Sequence, residues 1–324
     1  MRLLVTGGAG YIGSVVAARL LAAGHEVVVV DDLSTGHADA VPAGARLHRA
    51  AITELDDVLG QWSVDAVLHF AAKSLVGESV THPSLYWHNN VGGTLALLEA
   101  MRRHQVARIV FSSSAATYGE PAVTPIEESS PANPGNPYGS SKLAIDLALA
   151  DYAHAYGLTA VSLRYFNVAG ALHEPRGPSY GERHATETHL IPLALRAAAG
   201  ESGPLRVFGT DYPTPDGTCI RDYVHVVDLA EAHIRALSVP AAPDAGTHWV
   251  INLGSGCGYS VRQVIDTVAA VSGRAVPAVD VERRAGDPAV LVASHSAAAE
   301  ILGWRPTRDL VAMVADAWAF TTRG

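Results

Sequence analysis

The sequence predicts an α/β protein in which a doubly wound parallel sheet is joined to a second, smaller α/β lobe. Three observations carry this expectation. Short apolar runs alternate with stretches of helical periodicity through the first half, a glycine cluster separates the first run from the first helix, and the texture turns rich in Pro and Gly after Ala169. A chain of 324 residues is long enough for about two domains. They are read here as residues 1–168 and 169–324, with some segments of the second packing back on the first.

Leu3 to Val5 is a short apolar run, Ser14 to Ala23 has helical periodicity that stops at Gly24, and Glu26 to Val30 is a β-branched run ending in acids. Together they predict a βαβ unit. Further strands are expected over Ala66 to Ala71, Arg108 to Phe111 and Ala160 to Phe166, with helices over Gly93 to His104 and Ser140 to Tyr156. Past Ala169, the loop-like stretches Gly170 to Gly181, Gly209 to Gly217 and Val239 to Gly246 separate shorter pieces. The helices expected there are His189 to Ala199, His225 to Leu237, Val261 to Val271 and Leu310 to Phe320. They show no fixed period, which argues against a solenoid.

Composition removes several classes of function. With 48% hydrophobic and 17% charged residues the chain can pack a core. The longest apolar runs, such as Val15 to Ala23, are interrupted by Arg19 and fall short of the roughly 20 residues that span a bilayer. No membrane span is expected, and the first residues lack the pattern of a signal peptide, so the protein is expected in the cytoplasm. A net charge of −9 gives no positive field to attract nucleic acid. Cys219 and Cys257 lack CxxC spacing, and the 15 histidines contain no HExxH. Pairs such as His82/His88 and His184/His189 have no recognised ligand spacing, so no metal site is expected.

Two constellations carry chemistry. The first is Thr6-Gly7-Gly8-Ala9-Gly10-Tyr11-Ile12-Gly13, which follows the first strand and opens the first helix, where Gly7, Gly10 and Gly13 let backbone N–H groups approach a pyrophosphate. A structural turn would also use glycine. Asp31, however, ends the second strand near the spacing of about 20 residues at which an acid meets a ribose hydroxyl. With Asp32 beside it, its charge would repel the extra phosphate of NADP. The cofactor expected is NAD, and the sheet is therefore of the Rossmann type.

The second is Tyr138-Gly139-Ser140-Ser141-Lys142, where a spacing of four places tyrosine and lysine on one helical face. Only Lys73 and Lys142 are lysines, so the chance expectation of a lysine four after a tyrosine is about 0.07. A tyrosine base working near pH 7 needs its pKa lowered by roughly 3 units, which a neighbouring ammonium and a positive nicotinamide would favour. Ser114, closing the run Phe111-Ser112-Ser113-Ser114 at a strand end, is the third candidate, because its hydroxyl can meet a reacting oxygen.

Beyond these two constellations the chain resembles the extended short-chain dehydrogenase/reductase superfamily and, within it, the UDP-galactose (UDP-glucose) 4-epimerases. The resemblance rests on TGGAGYIG at Thr6, HFAAKSLVGES at His69, NNVGGT at Asn89, FSSSAATYG at Phe111, PYGSSK at Pro137, LRYFNVAGA at Leu163, DYPTPDGTCIRDYVHV at Asp211 and RRAGDP at Arg283. It implies UDP-glucose and UDP-galactose as substrates, NAD that stays bound, and a transient 4-keto sugar. Tyr138 would take the proton of the 4-hydroxyl, helped by Ser114 and tuned by Lys142. It further implies that Tyr11, Ile12, Asp32, Leu33, Ser34, Thr35, Gly36, Ala51, Ile52, Phe70, Ala71, Ala72, Lys73, Asn90 and Phe166 join the glycines and Asp31 around NAD. The nucleotide sugar would meet Asn167, His189, Leu190, Val207, Phe208, Arg221, Arg284 and Asp287. Leu291 stands where some members carry a tyrosine that limits N-acetylated sugars. A homodimer packed through the helices near Thr94 to His104 and Ser140 to Tyr156 is also implied.

Other readings compete. A sugar-nucleotide 4,6-dehydratase needs an Asp-Glu pair where this sequence has Ala115-Ala116, which cannot transfer protons. A net dehydrogenase shares the same machinery but requires free NAD turnover. A silent NAD-sensing module would not need Tyr138, Lys142 and Ser114 together.

Overall fold

A computed structural model of the protein describes all residues other than 176, 242–245, 285, 323 and 324. In chain order the elements are β1 (Arg2–Thr6), α1 (Tyr11–Ala22), β2 (Glu26–Asp31), β3 (Arg46–Arg49), α2 (Leu55–Gln61), β4 (Ala66–His69), α3 (Val76–Thr81) and α4 (Pro83–Tyr86). A π-helical stretch, Trp87–Gly92, leads into α5 (Gly93–Arg103), followed by β5 (Arg108–Ser114), α6 (Pro137–Tyr156), β6 (Thr159–Tyr165), β7 (Asn167–Ala169), β8 (Leu172–His173) and β9 (Ser179–Tyr180). The remainder is α7 (Leu190–Ala199), β10 (Leu205–Phe208), β11 (Ile220–His225), α8 (Val226–Ala236), β12 (Thr247–Leu253), β13 (Gly258–Ser260), α9 (Val261–Ser272), β14 (Ala278–Val281), β15 (Val290–Leu291), α10 (Ser296–Ile301) and α11 (Leu310–Thr322).

The main sheet runs β12-β6-β5-β4-β1-β2-β3 with every neighbouring pair parallel. Its central strands read as unbroken apolar runs because both faces are covered. Leu3 and Val5 face one core with Val15, Val16 and Leu20 of α1 and Leu229 of α8. Leu4, one residue along, faces the other with Val58 of α2, Leu97 of α5 and Ile145 of α6. This two-residue alternation makes the layers helix, sheet, helix.

The smaller lobe is built round β11, which pairs in parallel with β7 and β15 and antiparallel with β13. Helices α7, α9 and α11 supply its core through Leu195, Val264 and Met313. Ser260 opens α9 with a capping box, taking the Gln263 N–H while Gln263 returns to Ser260 N. Two pieces from late in the chain lie with the large sheet: β12 forms its edge beside β6, and α8 packs on α1. Among the described residues no helix is long and apolar enough to cross a membrane.

The polar edge strand β3 and the short helices α2 to α4 do not follow from the periodicity, and β5 runs on through Ser112, Ser113 and Ser114. Those serines are nearly buried in the sheet's carboxyl end, which a hydropathy pattern reads as the end of the strand.

Candidate active site

The carboxyl ends of the central strands open onto one cleft of about 2050 Å³. It lies where the chain leaves β1 for β2 on one side and comes back to β4 on the other, the crevice in which doubly wound sheets hold ligands.

One end is a cradle. Gly7 has φ of +70° and donates its N–H to Val30 O at 2.8 Å, and a Cβ there would lie 2.6 Å from Ala71 N. A Cβ on Gly13 would overlap Gly7 O, so α1 starts hard against the turn. Gly10 caps α1 and lines the cleft with Tyr11, Ile12 and Gly13, which presents the amino end of a helix to any anion there. Beneath it, His69 bridges Thr6 Oγ1 at 2.7 Å and Thr94 Oγ1 at 2.9 Å. Burial pushes its imidazole down to about 3, so it works as a neutral tie.

Asp31 closes β2 and takes N–H groups of Ala9 at 3.0 Å and Leu33 at 2.8 Å, one on each oxygen. Burial pushes its carboxyl up against those two bonds, and each oxygen keeps capacity for a further donor such as a ribose hydroxyl. Leu33 reaches its place with φ of 61°, a left-handed conformation. The cradle, the helix end and this acid fit NAD. Asp32, Ser34, Thr35, Gly36, Ala51, Ile52, Phe70, Ala71, Ala72, Lys73 and Phe166 line the same cleft.

Two residues expected around NAD, Leu33 and Asn90, are not among those that line the cleft. The Leu33 backbone serves Asp31 instead. Asn90 is fully buried: its amide takes Lys73 N at 2.8 Å and donates to Lys73 O and Ser141 Oγ at 3.0 and 3.1 Å. It holds the loop after β4 against α6.

The reacting groups sit where β5 and α6 meet. Asn136 caps α6 by accepting Gly139 N at 2.9 Å, and Pro137 occupies the first turn, so the helix opens with Tyr138 facing the cleft. Lys142, one turn on and 2% exposed, donates to Ser112 O at 2.8 Å; its Nζ lies 4.8 Å from the centre of the Phe111 ring and 5.8 Å from that of Tyr138. Burial pushes the ammonium down to about 8, with Asp146 pulling it back up. The Tyr138 phenol is pushed up by burial, and the polar Ser114 hydroxyl beside it pulls it down. The lowering expected from the tyrosine–lysine spacing is therefore not supplied by the polypeptide alone. Ser114 Oγ also accepts Ala116 N at 3.1 Å and lines the cleft.

Several groups bearing on this site were not singled out from the sequence. Asp146, one turn past Lys142, and Arg164 on β6 form a nearly buried ion pair, with Ser113 Oγ donating to the same carboxylate oxygen at 3.1 Å. An acid four residues after the lysine was the available signal. Tyr165 pairs with Ser112 Oγ, and Tyr86 meets Tyr138 edge-on at 6.4 Å.

The cleft is also lined by Asn167, His189, Leu190, Phe208, Arg221, Arg284, Asp287 and Leu291. Arg221 pairs with Asp287, and the Arg284 guanidinium lies 3.9 Å above the Phe208 ring. Val207 does not join them. Its side chain is fully buried with Tyr212, Cys219 and Val261, because successive residues of β10 point to opposite faces.

The structure also brings together His184 and His189, whose spacing matches no ligand motif. With Glu182 and Glu187 they form a group whose donor atoms all lie within 4.8 Å of one another, beside Tyr11 at the cleft mouth. The two carboxylates push His184 up to about 10.

Comparison with known proteins agrees with this geometry. Residues 3–254 match the model of the NAD dependent epimerase/dehydratase family. A UDP-glucose 4-epimerase of Corynebacterium glutamicum is 54% identical over 99% of this chain and 96% of its own length. One of Streptomyces lividans is 56% identical over 97% and 94%. Among solved structures, a UDP-glucose 4-epimerase of Brucella ovis in complex with NAD superposes with a TM-score of 0.93 at 47% identity, covering 98% of both chains. That of Bifidobacterium longum in complex with NAD+ and UDP gives 0.90 at 36%, covering 100% of this chain and 98% of the other. The chain belongs to the NAD dependent epimerase/dehydratase family.

Proposed function

We propose that this protein interconverts UDP-galactose and UDP-glucose by reversible oxidation at C4 of the hexose, as a UDP-glucose 4-epimerase with NAD. The observation that carries the reading is the placement of Tyr138, Lys142 and Ser114 in the same cleft as the glycine cradle and Asp31.

NAD, which the glycine cradle and Asp31 would hold, would supply reversible hydride-transfer chemistry at C4. Tyr138 takes the proton of the 4-hydroxyl and gives one back when the alcohol re-forms, so no net redox change results. Burial holds that proton on the phenol, and the positive charges of Lys142 and of the cofactor favour its release. Ser114 hydrogen-bonds the reacting oxygen. Asn167, Arg221, Arg284 and Asp287 hold the nucleotide part, where forked guanidinium donors suit a pyrophosphate. The sugar must be gripped more loosely, so that both faces of C4 can meet one ring. Ala115 and Ala116 offer no second acid–base pair, which favours epimerisation over water elimination.

Three further readings go with this one. Residues 1–168 form the NAD lobe and 169–324 the sugar-nucleotide lobe, with α8 and β12 belonging physically to the first; their packing on α1 and β6 supports this. A homodimer packs through α5 and α6, supported by the exposed apolar side chains Leu95, Leu147 and Tyr156. The cytoplasm is its compartment, supported by two free thiols, Cys219 and Cys257.

Mixing the purified protein with UDP-galactose, adding no NAD, and following UDP-glucose by proton NMR tests the assignment. Product without accumulating NADH is expected. No product even with NAD+ added overturns the substrate.

A further inference from the structure

Between β9 and α7 the chain turns four side chains onto one point. Glu182 and Glu187 have side chains only 7% and 5% exposed, and both approach His184 Nδ1, at 2.9 and 3.7 Å. Glu182 also meets Nδ1 of His189. Two carboxylates so close and so dry repel each other unless positive charge stands between them, and either an imidazolium or a metal ion supplies it here. The neighbouring arginine does not provide it: Arg183 points away and grips Asp39 with both terminal nitrogens at 3.0 and 2.8 Å. Tyr11, the other polar neighbour, donates its hydroxyl to Gly170 O at 2.6 Å.

The angles are informative as well as the distances. His184 Nδ1 is buried and, although 2.9 Å from a Glu182 oxygen, is not aligned with it as a hydrogen bond. Glu182 does pair with His189 Nδ1, and one oxygen of Glu187 takes the Thr188 and His189 N–H groups, but His184 Nδ1 sits unpaired among the carboxylate oxygens, as a ligand sits around a shared centre. A tetrahedral ion with bonds of about 2.0–2.2 Å sets its ligands roughly 3.3 Å apart. The separations of 2.9 and 3.7 Å at His184 bracket that value, while Glu182 and His189 stand closer and the four donor atoms lie within 4.8 Å of one another.

We propose that Glu182, His184, Glu187 and His189 bind one divalent transition-metal ion of the zinc class. Two imidazoles with two carboxylates are borderline ligands that suit such an ion better than magnesium or calcium, which take oxygen sets. The ion is structural. It staples the segment before α7, which Arg183 and His37 already tie to the NAD lobe, since His37 Nε2 lies 2.9 Å from Arg183 O. Because His184, Glu187 and His189 line the cleft, the ion fixes one wall of its mouth.

The test uses the full chain, dialysed against a chelator and titrated with Zn2+ in a calorimeter, with metal content read by plasma mass spectrometry. One equivalent bound, with a rise in unfolding temperature, is expected. His184→Gln should weaken the affinity at least tenfold while far-UV circular dichroism is unchanged. No uptake, or equal uptake by the wild type and His184→Gln, overturns the site. Should the variant fail to fold, Co2+ added to the wild type decides: the visible ligand-field bands of a tetrahedral ion are expected, and their absence overturns the proposal.

Discussion

Arg164 grips a single oxygen of Asp146, through Nε at 3.0 Å and Nη2 at 2.9 Å, and leaves the other oxygen, Oδ1, buried with no hydrogen-bond partner. The pair lies one helical turn behind Lys142, and its lopsided grip leaves Asp146 with negative charge to act on the ammonium.

Removing one member strands the other. Asp146→Ala leaves the Arg164 guanidinium buried without its carboxylate partner, 4.9 Å from the Tyr118 ring, and should cost about 3–5 kcal/mol of stability. Chemical denaturation of the variant checks this, and a loss under about 1 kcal/mol would show that water reaches the site.

Turnover should fall as pH rises through about 8, because the Lys142 ammonium is charged below its depressed pKa and neutral above it. Asp146 raises that pKa, so Asp146→Asn should move the alkaline limb to lower pH. The other ionisable groups near the ammonium are the Tyr138 phenol and His69, and His69, held at about 3, stays neutral throughout this range. A kcat profile in both proteins, between pH 6 and about 10, gives the comparison.

Tyr138→Phe keeps the ring that packs on Tyr86 and removes the hydroxyl. Turnover should drop about 10²- to 10⁴-fold with NAD still bound. Wild-type turnover would remove Tyr138 from the mechanism.

In the cradle, Gly13→Ala sets a methyl against Gly7 O and must push α1 away from the turn. Retained NAD, measured after gel filtration, should fall at least about tenfold in affinity, about 1.4 kcal/mol.

Leu291 lines the cleft together with Arg221 and Arg284. Leu291→Tyr should lower the ratio of N-acetylhexosamine to hexose turnover by on the order of tenfold, since added bulk there competes with an acetamido group. An unchanged ratio would place the acetamido group elsewhere.

The site was legible where chemistry is local. Gly7, Gly13 and Asp31 mark a turn and a strand end, and Tyr138 with Lys142 marks a helical face, so short spacings suffice. What escaped was assembled from a distance. Arg164 meets Asp146 across a sheet, His184 and His189 need a loop to converge, and Asn90 faces inward through a π-helical stretch that no period announces. Val207 shows a limit of the same kind: adjacent in sequence to Phe208, it turns its side chain to the other face of the strand.

The edge strand β12 has a consequence for how the molecule is made. A ribosome finishes β6 well before Thr247–Leu253 emerges, and until then the row of backbone groups that β12 will occupy stays open. The early half of the chain is thus born with a sticky margin, and a gene cut after residue 168 would leave it so permanently. Fragments of that kind should clump during expression, while the intact chain covers β6 late in synthesis.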